Sequence, residues 1–275
     1  MLFKKFFFAV VLALLMTSSQ IADAEDYDWS QAPRIATKIE LAGYIENGRR
    51  NGQKVFNLII TNSRIFDVFN EQPKYFAVAP LVTSREGHPE SGQITFKIIE
   101  EYPGTRVANA YLNQFPDIAW KNLSDDERDL YSNALPIVNE ANKRPSEREK
   151  MRYIYNEINK RSTYYDEEDN YMITGDNKRI KPFCTAIGVQ INGKRGYNCQ
   201  GYADAFYMIG RMCNLDVRRI SGMLKGSSHQ WNAIIFNDGE SYCVDVQSGT
   251  RFCVNKKHME EFGYWCEWDA IPNLQ

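Results

Sequence analysis

A thiol, an imidazole and a carboxylate follow one another in the second half of the sequence, each within a short distinctive tract. Cys199 lies in Tyr-Asn-Cys-Gln-Gly-Tyr-Ala, His229 in His-Gln-Trp-Asn, and Asp245 in Tyr-Cys-Val-Asp-Val. A free thiol is mostly protonated at neutral pH, so a cysteine that carries out acyl transfer needs a neighbouring base, and that base needs a third group to orient it. We therefore predict that Cys199, His229 and Asp245 form a catalytic site.

Cys199 is expected at the N-terminus of a helix. The residues after it recur at spacings of three and four, which is typical of a buried helix face; they are Tyr202, Ala203, Phe206, Ile209, Gly210 and Cys213. The unpaired amides and the positive end of the helix dipole lower the pKa of a thiol there and can hold a developing oxyanion. Taken alone, Cys199 could equally be a buried structural cysteine that begins a core helix.

A predicted β-hairpin places His229 and Asp245. Residues 231–236 and 241–246 are apolar or β-branched runs on either side of the Asn-Asp-Gly tract at 237–239. A three-residue loop with a left-handed glycine puts His229 and Asp245 diagonally on one face of the hairpin. A two-residue Asp-Gly turn would put them on opposite faces and would break the predicted site.

These tracts resemble bacterial transglutaminase-like domains, a branch of the papain-like cysteine fold. The resemblance covers residues 151–249, where Gly-x-x-Cys-Gln-Gly-Tyr-Ala, His-x-Trp-Asn and Tyr-x-Val-Asp-Val arrive in the family's order and spacing. It implies Cys199 as nucleophile, His229 as general base and then acid, and Asp245 as the group that fixes the imidazole. It also implies an α+β fold, in which a helix bearing the cysteine packs on an antiparallel sheet bearing the other two residues.

The sequence departs from the family just after Asp245. The family often has Thr-Trp followed by acidic residues, whereas residues 247–250 read Gln-Ser-Gly-Thr here. This difference concerns the rim of the pocket. The resemblance names no partner for the Cys199 amide in an oxyanion hole.

A signal peptide and a small domain are predicted in front of the catalytic domain. Two lysines at 4–5, an apolar run at 6–16 and Ala-Asp-Ala at 22–24 are typical of an export signal, so we expect a secreted or extracytoplasmic protein with no membrane span after cleavage. The predicted units are a signal peptide at 1–24, an N-terminal α+β domain with a helical linker at 25–145, and a transglutaminase-like catalytic domain at 146–275.

Hydrophobic periodicity predicts the elements of the N-terminal domain. They are helices at 35–47 and 63–71, and strands at 54–61, 75–82, 92–102 and 105–112, with breaks at 87–89 and 103–104. Ser124 and Glu127 predict a capping box for a helix that runs towards residue 142, and Ser146 begins another helix. The N-terminal domain carries no chemical motif, so we expect a scaffold or a wall on the substrate side.

The six cysteines leave two alternatives to a free thiol open. They are Cys184, Cys199, Cys213, Cys243, Cys253 and Cys266. An oxidising compartment would favour disulfides among the last three, whereas Cys213 on a helix face suits a buried free thiol. A zinc site from Cys243, Cys253, His258 and Cys266 is disfavoured because no Cys-x-x-Cys pair exists.

Other ligand classes receive little support. The acidic stretch at 165–181 lacks the ligand spacing of a calcium loop, so we expect a solvated loop. With 33 basic and 35 acidic residues, the net charge of -2 does not favour nucleic acid. No cofactor is implied. The expected partner is a protein or peptide substrate, with a cell-wall polymer as a further candidate.

The predicted function is that of an exported cysteine acyl-transfer enzyme with a thioester at Cys199. Hydrolysis of amide bonds in a peptide or cell-surface polymer is preferred to glutamine–lysine crosslinking, because nothing in the sequence specifies an amine site. The alternative of another class is a non-catalytic surface binding module on the same fold. The complete set of three groups argues against that alternative.

Overall fold

The computed structural model describes residues 27–65, 82–88, 90–164, 172–173, 179–180, 186 and 196–275. Several predictions concern residues outside these ranges, namely the signal peptide at 1–24, most of the strand at 75–82 and most of the acidic stretch at 165–181. The helix predicted at 63–71 is described only to residue 65, and residues 63–65 are helical. In the described parts of the chain, no helix combines the length and the apolar composition that crossing a bilayer requires.

The first part of the chain forms a helix packed on a four-stranded sheet. Its elements are β1 (Arg34–Ile35), α1 (Lys38–Arg50), β2 (Val55–Ile60), β3 (Val82–His88) and β4 (Gln93–Glu100), in the sheet order β1-β2-β4-β3. The strands predicted at 54–61 and 92–102 are confirmed. The helix predicted at 35–47 starts later, because Thr37 and Glu40 form a capping box.

Two predictions at proline-containing tracts differ from the structure. Residues 105–112, predicted as a strand, lie mostly in helix α2 (Pro103–Tyr111). Pro103 is in the first turn, where its missing N–H costs no hydrogen bond and its fixed φ suits a helix. The break predicted at 87–89 comes slightly later, since β3 continues to His88 and pairs with β4, and residues 90–92 form the turn.

Three helices lead into the segment that carries the predicted site. They are α3 (Pro116–Lys121), α4 (Asp125–Asn142) and α5 (Glu147–Arg161), and they are followed by the short strands β5 (Thr163–Tyr164), β6 (Met172–Ile173), β7 (Arg179–Ile180) and β8 (Gly196–Tyr197). Ser124 and Glu127 form the predicted capping box of α4. Ser146 accepts a hydrogen bond from the Glu149 amide at 3.2 Å, so both predicted helix starts are confirmed.

A helix and a five-stranded antiparallel sheet complete the chain. The elements are α6 (Cys199–Met212), β9 (Asp216–Leu224), β10 (Ser227–Ile235), β11 (Ser241–Asp245), β12 (Arg251–Val254), α7 (Lys256–Glu261) and β13 (Tyr264–Trp265), in the sheet order β12-β11-β10-β9-β13. The connection between β10 and β11 spans residues 236–240 and encloses the predicted three-residue loop at 237–239. Phe236 and Glu240 close it with a backbone hydrogen bond of 2.9 Å, and Gly239 has a φ of 87°.

Both faces of the five-stranded sheet are buried. Ile234 and Val244 on one face pack against α2, α4, α5 and α6. Trp231 and Cys243 on the other face pack against α1, β2 and β4. The predicted α+β architecture is therefore present. The boundary predicted at residue 145 stays a prediction, because α4 and α5 on its two sides share one core.

Candidate active site

His229 and Asp245 meet on one face of the hairpin. Asn232 pairs with Val244 across β10 and β11, and one further step of this register puts Trp231 opposite Asp245. His229 then lies diagonally from Asp245, and its Nε2 is 2.9 Å from Asp245 Oδ2. Both residues are buried, with 6% and 2% of their surface exposed. The geometry expected from the loop length is therefore the observed one.

Cys199 is the first residue of α6 and lies against the imidazole. The Asn198 side chain caps the helix by accepting a hydrogen bond from the Gly201 amide at 3.2 Å. The Cys199 thiol lies close enough to the His229 ring to raise the pKa of the imidazole. Since Nε2 of His229 faces Asp245, Nδ1 is left for the sulfur. The structure thus brings Cys199, His229 and Asp245 together, with the thiol half-buried and not in a disulfide.

The surroundings of His229 favour its charged form. Burial by itself lowers the pKa of the imidazole, but the hydrogen bonds with Asp245 and with Cys199 outweigh it and raise this pKa to about 9. An imidazole with this pKa holds a proton at neutral pH. The site can therefore keep an imidazolium beside the sulfur of Cys199.

Tyr264 is a fourth member of the site that the sequence did not reveal. Its hydroxyl donates to Asp245 Oδ2 at 2.5 Å, so this oxygen faces both the phenol and the His229 ring. Burial, and then the Asp245 carboxylate, raise the pKa of Tyr264 well above its usual range, so the phenol keeps the proton that it donates. The contact spans nineteen positions of the chain, and no spacing rule connects the two residues.

Strand β13 and a close approach to Gly222 hold Tyr264 in place. Tyr264 pairs with Leu224 of β9, and its ring meets the Trp231 ring edge to face at 5.3 Å. A Cβ at Gly222 would come within 2.3 Å of the Trp265 carbonyl oxygen, so only glycine leaves room for β13 here. The tyrosine is therefore positioned by backbone pairing as well as by its hydroxyl.

A buried carboxylate fixes the helix that carries Cys199. Asp204, which has no exposed surface, accepts from Arg219 at 2.5 Å and from the amides of Gly104 and Ala186 at 3.0 and 2.9 Å. Arg219 also donates to Thr105 at 2.6 Å. These bonds tie α6 to β9 and to the start of α2. None of these residues has a role predicted from the sequence.

The network continues into the first part of the chain. Arg49 donates to Glu101 at 2.6 Å, and Arg219 lies 3.4 Å from the same carboxylate. Glu46 is buried beside Arg49 and accepts from the Tyr207 hydroxyl at 2.8 Å. Because Tyr207 belongs to α6, buried charges connect α1 directly to the cysteine-bearing helix.

The disulfides and the zinc site considered for Cys243, Cys253 and Cys266 can be compared with the described residues. Five cysteines are described and all five are free; Cys184 lies outside the described ranges. In the described part of the chain, no three His, Cys, Asp or Glu side chains converge as a metal site would require. Burial raises the pKa of Cys213 to about 11 and that of Cys243 to about 12, as expected for inert structural thiols.

Comparisons with known proteins agree with the resemblance seen in the sequence. Residues 136–246 match the family model described as the transglutaminase-like superfamily. Comparison with curated proteins gives no match. The chain is similar to a solved structure titled "Crystal structure of a TGase", with 14% identity, a TM-score of 0.36, and coverage of 76% of this chain and 56% of that chain.

A second solved structure, the periplasmic domain of TgpA from Pseudomonas aeruginosa, is similar with 10% identity and a TM-score of 0.32. The alignment covers 61% of this chain and 63% of the TgpA periplasmic domain. The chain thus spans a little over half the length of either structure. The segment matched by the family model contains all three residues of the site, so this segment of the chain is similar to the transglutaminase-like superfamily.

Proposed function

We propose that the protein is an exported cysteine acyl-transfer enzyme that uses Cys199, His229 and Asp245. The observation that carries this proposal is that the Asp245 carboxylate lies 2.9 Å from the His229 ring, with the Cys199 thiol close enough to this ring to raise its pKa. The thiol also begins a helix, where free amides stabilise developing negative charge. Export is proposed from the basic and apolar pattern at the start of the sequence.

The reaction begins from a Cys199 thiolate beside the His229 imidazolium, in which Nδ1 already carries the proton of the thiol. The sulfur attacks the carbonyl carbon of an amide, and the carbonyl electrons move to oxygen. When this tetrahedral intermediate collapses, the C–N bond breaks and the leaving amine takes the proton from His229. A thioester remains on Cys199. Asp245 holds the ring in place and stabilises the imidazolium that forms.

Release of the acyl group repeats these steps with a new nucleophile. Water gives a proton to His229 while its oxygen attacks the thioester carbon, and the sulfur then leaves as a thiolate beside the protonated ring. An amine in place of water would form a new amide bond instead. We prefer hydrolysis of a peptide or cell-surface polymer, because no described feature specifies an amine site.

Alkylation by iodoacetamide across pH tests the nucleophile. We expect faster labelling of Cys199 at neutral pH than of an ordinary accessible thiol, and loss of this advantage in His229→Ala. Cys213 and Cys243 are internal controls, since burial keeps them protonated. Peptide mapping assigns the label to each cysteine. A Cys199 that is inert in the wild type would favour the non-catalytic binding module.

A glutamine peptide incubated with a labelled amine separates hydrolysis from amine transfer. Release of the acid product without amine incorporation supports hydrolysis. Incorporation without hydrolysis would overturn that preference and support crosslinking. Cys199→Ser serves as the blank in both arms, because it retains the shape of the site without the thiol.

A further inference from the structure

Three exposed arginines lie along the N-terminal half of α5 and just before it, each against an aromatic ring. The guanidinium of Arg144 is 4.6 Å from the ring centre of Tyr153. That of Arg148 is 4.7 Å from Phe236 and 5.0 Å from Tyr242. That of Arg152 is 3.9 Å from Phe252. We refer to Arg144, Arg148 and Arg152 as the arginine row.

No carboxylate of the described residues lies within ion-pairing distance of the arginine row. Two acidic neighbours accept hydrogen bonds from other groups: Glu147 from the Asn237 amide at 2.9 Å, and Glu240 from the Tyr242 hydroxyl, beside Arg148, at 2.9 Å. By contrast, Arg161 at the end of the same helix pairs with Glu157 at 2.6 Å. Among the described residues, the row therefore makes no direct ion pair, and the nearest resolved influence of a carboxylate is that of Glu140 on Arg144.

Stacking determines how these side chains can meet a ligand. A guanidinium stacked on a ring keeps its N–H donors in its own plane, where they can hold a carboxylate through two parallel bonds. Part of the Arg148 guanidinium already faces the Tyr242 hydroxyl and the Cys253 thiol, so fewer of its N–H donors are open to a ligand. The stacking also limits rotamer freedom before a ligand arrives, which lowers the entropic cost of binding.

The arginine row ends beside the loop that follows Asp245. Phe252, on which Arg152 stacks, is next to Arg251, which pairs with Asp245 across β11 and β12. One turn further along α5, the buried Tyr155 contacts Ser248, whose amide donates to Asp245 Oδ1 at 3.4 Å. A chain that lay along the row would therefore arrive at the end of the sheet that carries the site.

We propose that the arginine row docks an acidic segment of the peptide substrate. Arg148 and Arg152 are four residues apart on a helix, a rise of about 6 Å. Alternate side chains on one face of an extended peptide are about 7 Å apart, so carboxylates at every second residue match this spacing. That the bound peptide is a substrate rests on the proposed function. Binding of an acidic peptide to the arginine row does not depend on catalysis.

Fluorescence anisotropy with the Cys199→Ser protein measures docking without turnover. The probe is a labelled peptide of alternating glutamate and alanine, and the matched control peptide has glutamine in place of glutamate. We expect binding of the acidic peptide only, with an affinity that falls as salt is added. Equal binding of the glutamine peptide would overturn the proposal.

Matched variants assign the binding to the row. Arg148→Gln with Arg152→Gln should weaken binding about tenfold, which corresponds to loss of two surface ion pairs. The control is Lys143→Gln with Arg161→Gln, which removes the same charge from residues already paired with Glu140 and Glu157, and it should leave binding unchanged. Arg148→Lys with Arg152→Lys keeps the charge but not the stacked plane, so it should weaken binding as well.

Two further outcomes separate this inference from its rivals. A single-stranded oligothymidylate that bound more tightly than the acidic peptide, with the same dependence on the arginines, would assign the row to a phosphodiester polymer and overturn the peptide proposal. Iodoacetamide labelling of Cys199 should be unchanged in the double glutamine variant. An inert Cys199 in the wild type, together with row-dependent peptide binding, would remove the proposed function and leave the docking surface.

Discussion

Tyr264 donates a hydrogen bond to the same oxygen of Asp245 that faces the imidazole. Asp245 Oδ2 is therefore 2.5 Å from the Tyr264 hydroxyl and 2.9 Å from Nε2 of His229. Its other oxygen receives the more distant Ser248 amide at 3.4 Å. Three groups thus contact the carboxylate and fix its position. The carboxylate in turn fixes the orientation of the His229 ring.

Replacing Tyr264 by phenylalanine tests this arrangement. Tyr264→Phe keeps the ring and removes only the donor, so the free energy of unfolding should fall by about 2 kcal/mol, as for a hydrogen bond to a charged group. Alkylation of Cys199 at neutral pH should slow, but less than in Asp245→Ala, because His229 still has its carboxylate. Tyr242→Phe removes a surface hydrogen bond to Glu240 and is the control. Identical behaviour of the two phenylalanine variants would show that Tyr264 is not a positioning residue.

His229 predicts a loss of stability at alkaline pH. Its pKa is raised from 6.5 to about 9 in the folded protein, so its contribution is complete below pH 6.5 and disappears as pH rises towards 9. This shift corresponds to about 3 kcal/mol. Urea unfolding of the wild type should show this decline relative to His229→Gln, and parallel curves would contradict it. In Cys199→Ala the imidazole pKa, followed by NMR, should fall because one stabilising contact is gone.

Glu46 predicts a loss of stability in acid. Burial alone raises its pKa, but Arg49 and Arg50 outweigh burial and lower the pKa of this carboxyl from 4.5 to about 2. Its contribution, about 3 kcal/mol, is present above pH 4.5 and is lost as pH falls towards 2. Glu46→Gln should flatten this part of the stability curve. Glu140→Gln, at a surface pair with Lys143, should leave the slope unchanged.

Gly104 and Gly43 form a matched pair for a steric test. A Cβ at Gly104 would lie 2.4 Å from Asp204 Oδ1, whereas a Cβ at Gly43 has no atom within 4 Å. Gly104→Ala should push α2 away from Asp204 and lower the midpoint of thermal unfolding. Gly43→Ala lies within α1 and should raise stability by about 0.5–1 kcal/mol from helix propensity. Scanning calorimetry of both variants decides the point; an unchanged midpoint in Gly104→Ala would show that the contact relaxes freely.

The site could be predicted from sequence wherever local rules determine geometry. The Asn-Asp-Gly loop fixes the hairpin register, and the register alone puts His229 and Asp245 on one face. A polar N-cap at Asn198 and the apolar spacing after it place Cys199 at the start of α6. These rules act over a few residues, so one sequence is enough to apply them.

The parts that escaped prediction depend on contacts between distant segments. Tyr264 reaches Asp245 only because β13 joins the far edge of the sheet, and Asp204 reaches Arg219 only after α6 packs on β9. Residues 105–112 were misread as a strand because alternating apolar residues in a short run suit either element. Proline in the first turn and the packing of α2 against α6 decided for helix.

The two buried faces of the central sheet have a consequence for proteolysis. Trp231 and Tyr264 lie next to the His229 ring. Helix α1 and the four-stranded sheet cover these two side chains and exclude water from them. A fragment beginning at residue 146 would expose these rings as a sticky surface, although every reactive group would still be on it. Cleavage at that point should therefore cause the fragment to aggregate, although it would still contain Cys199, His229 and Asp245.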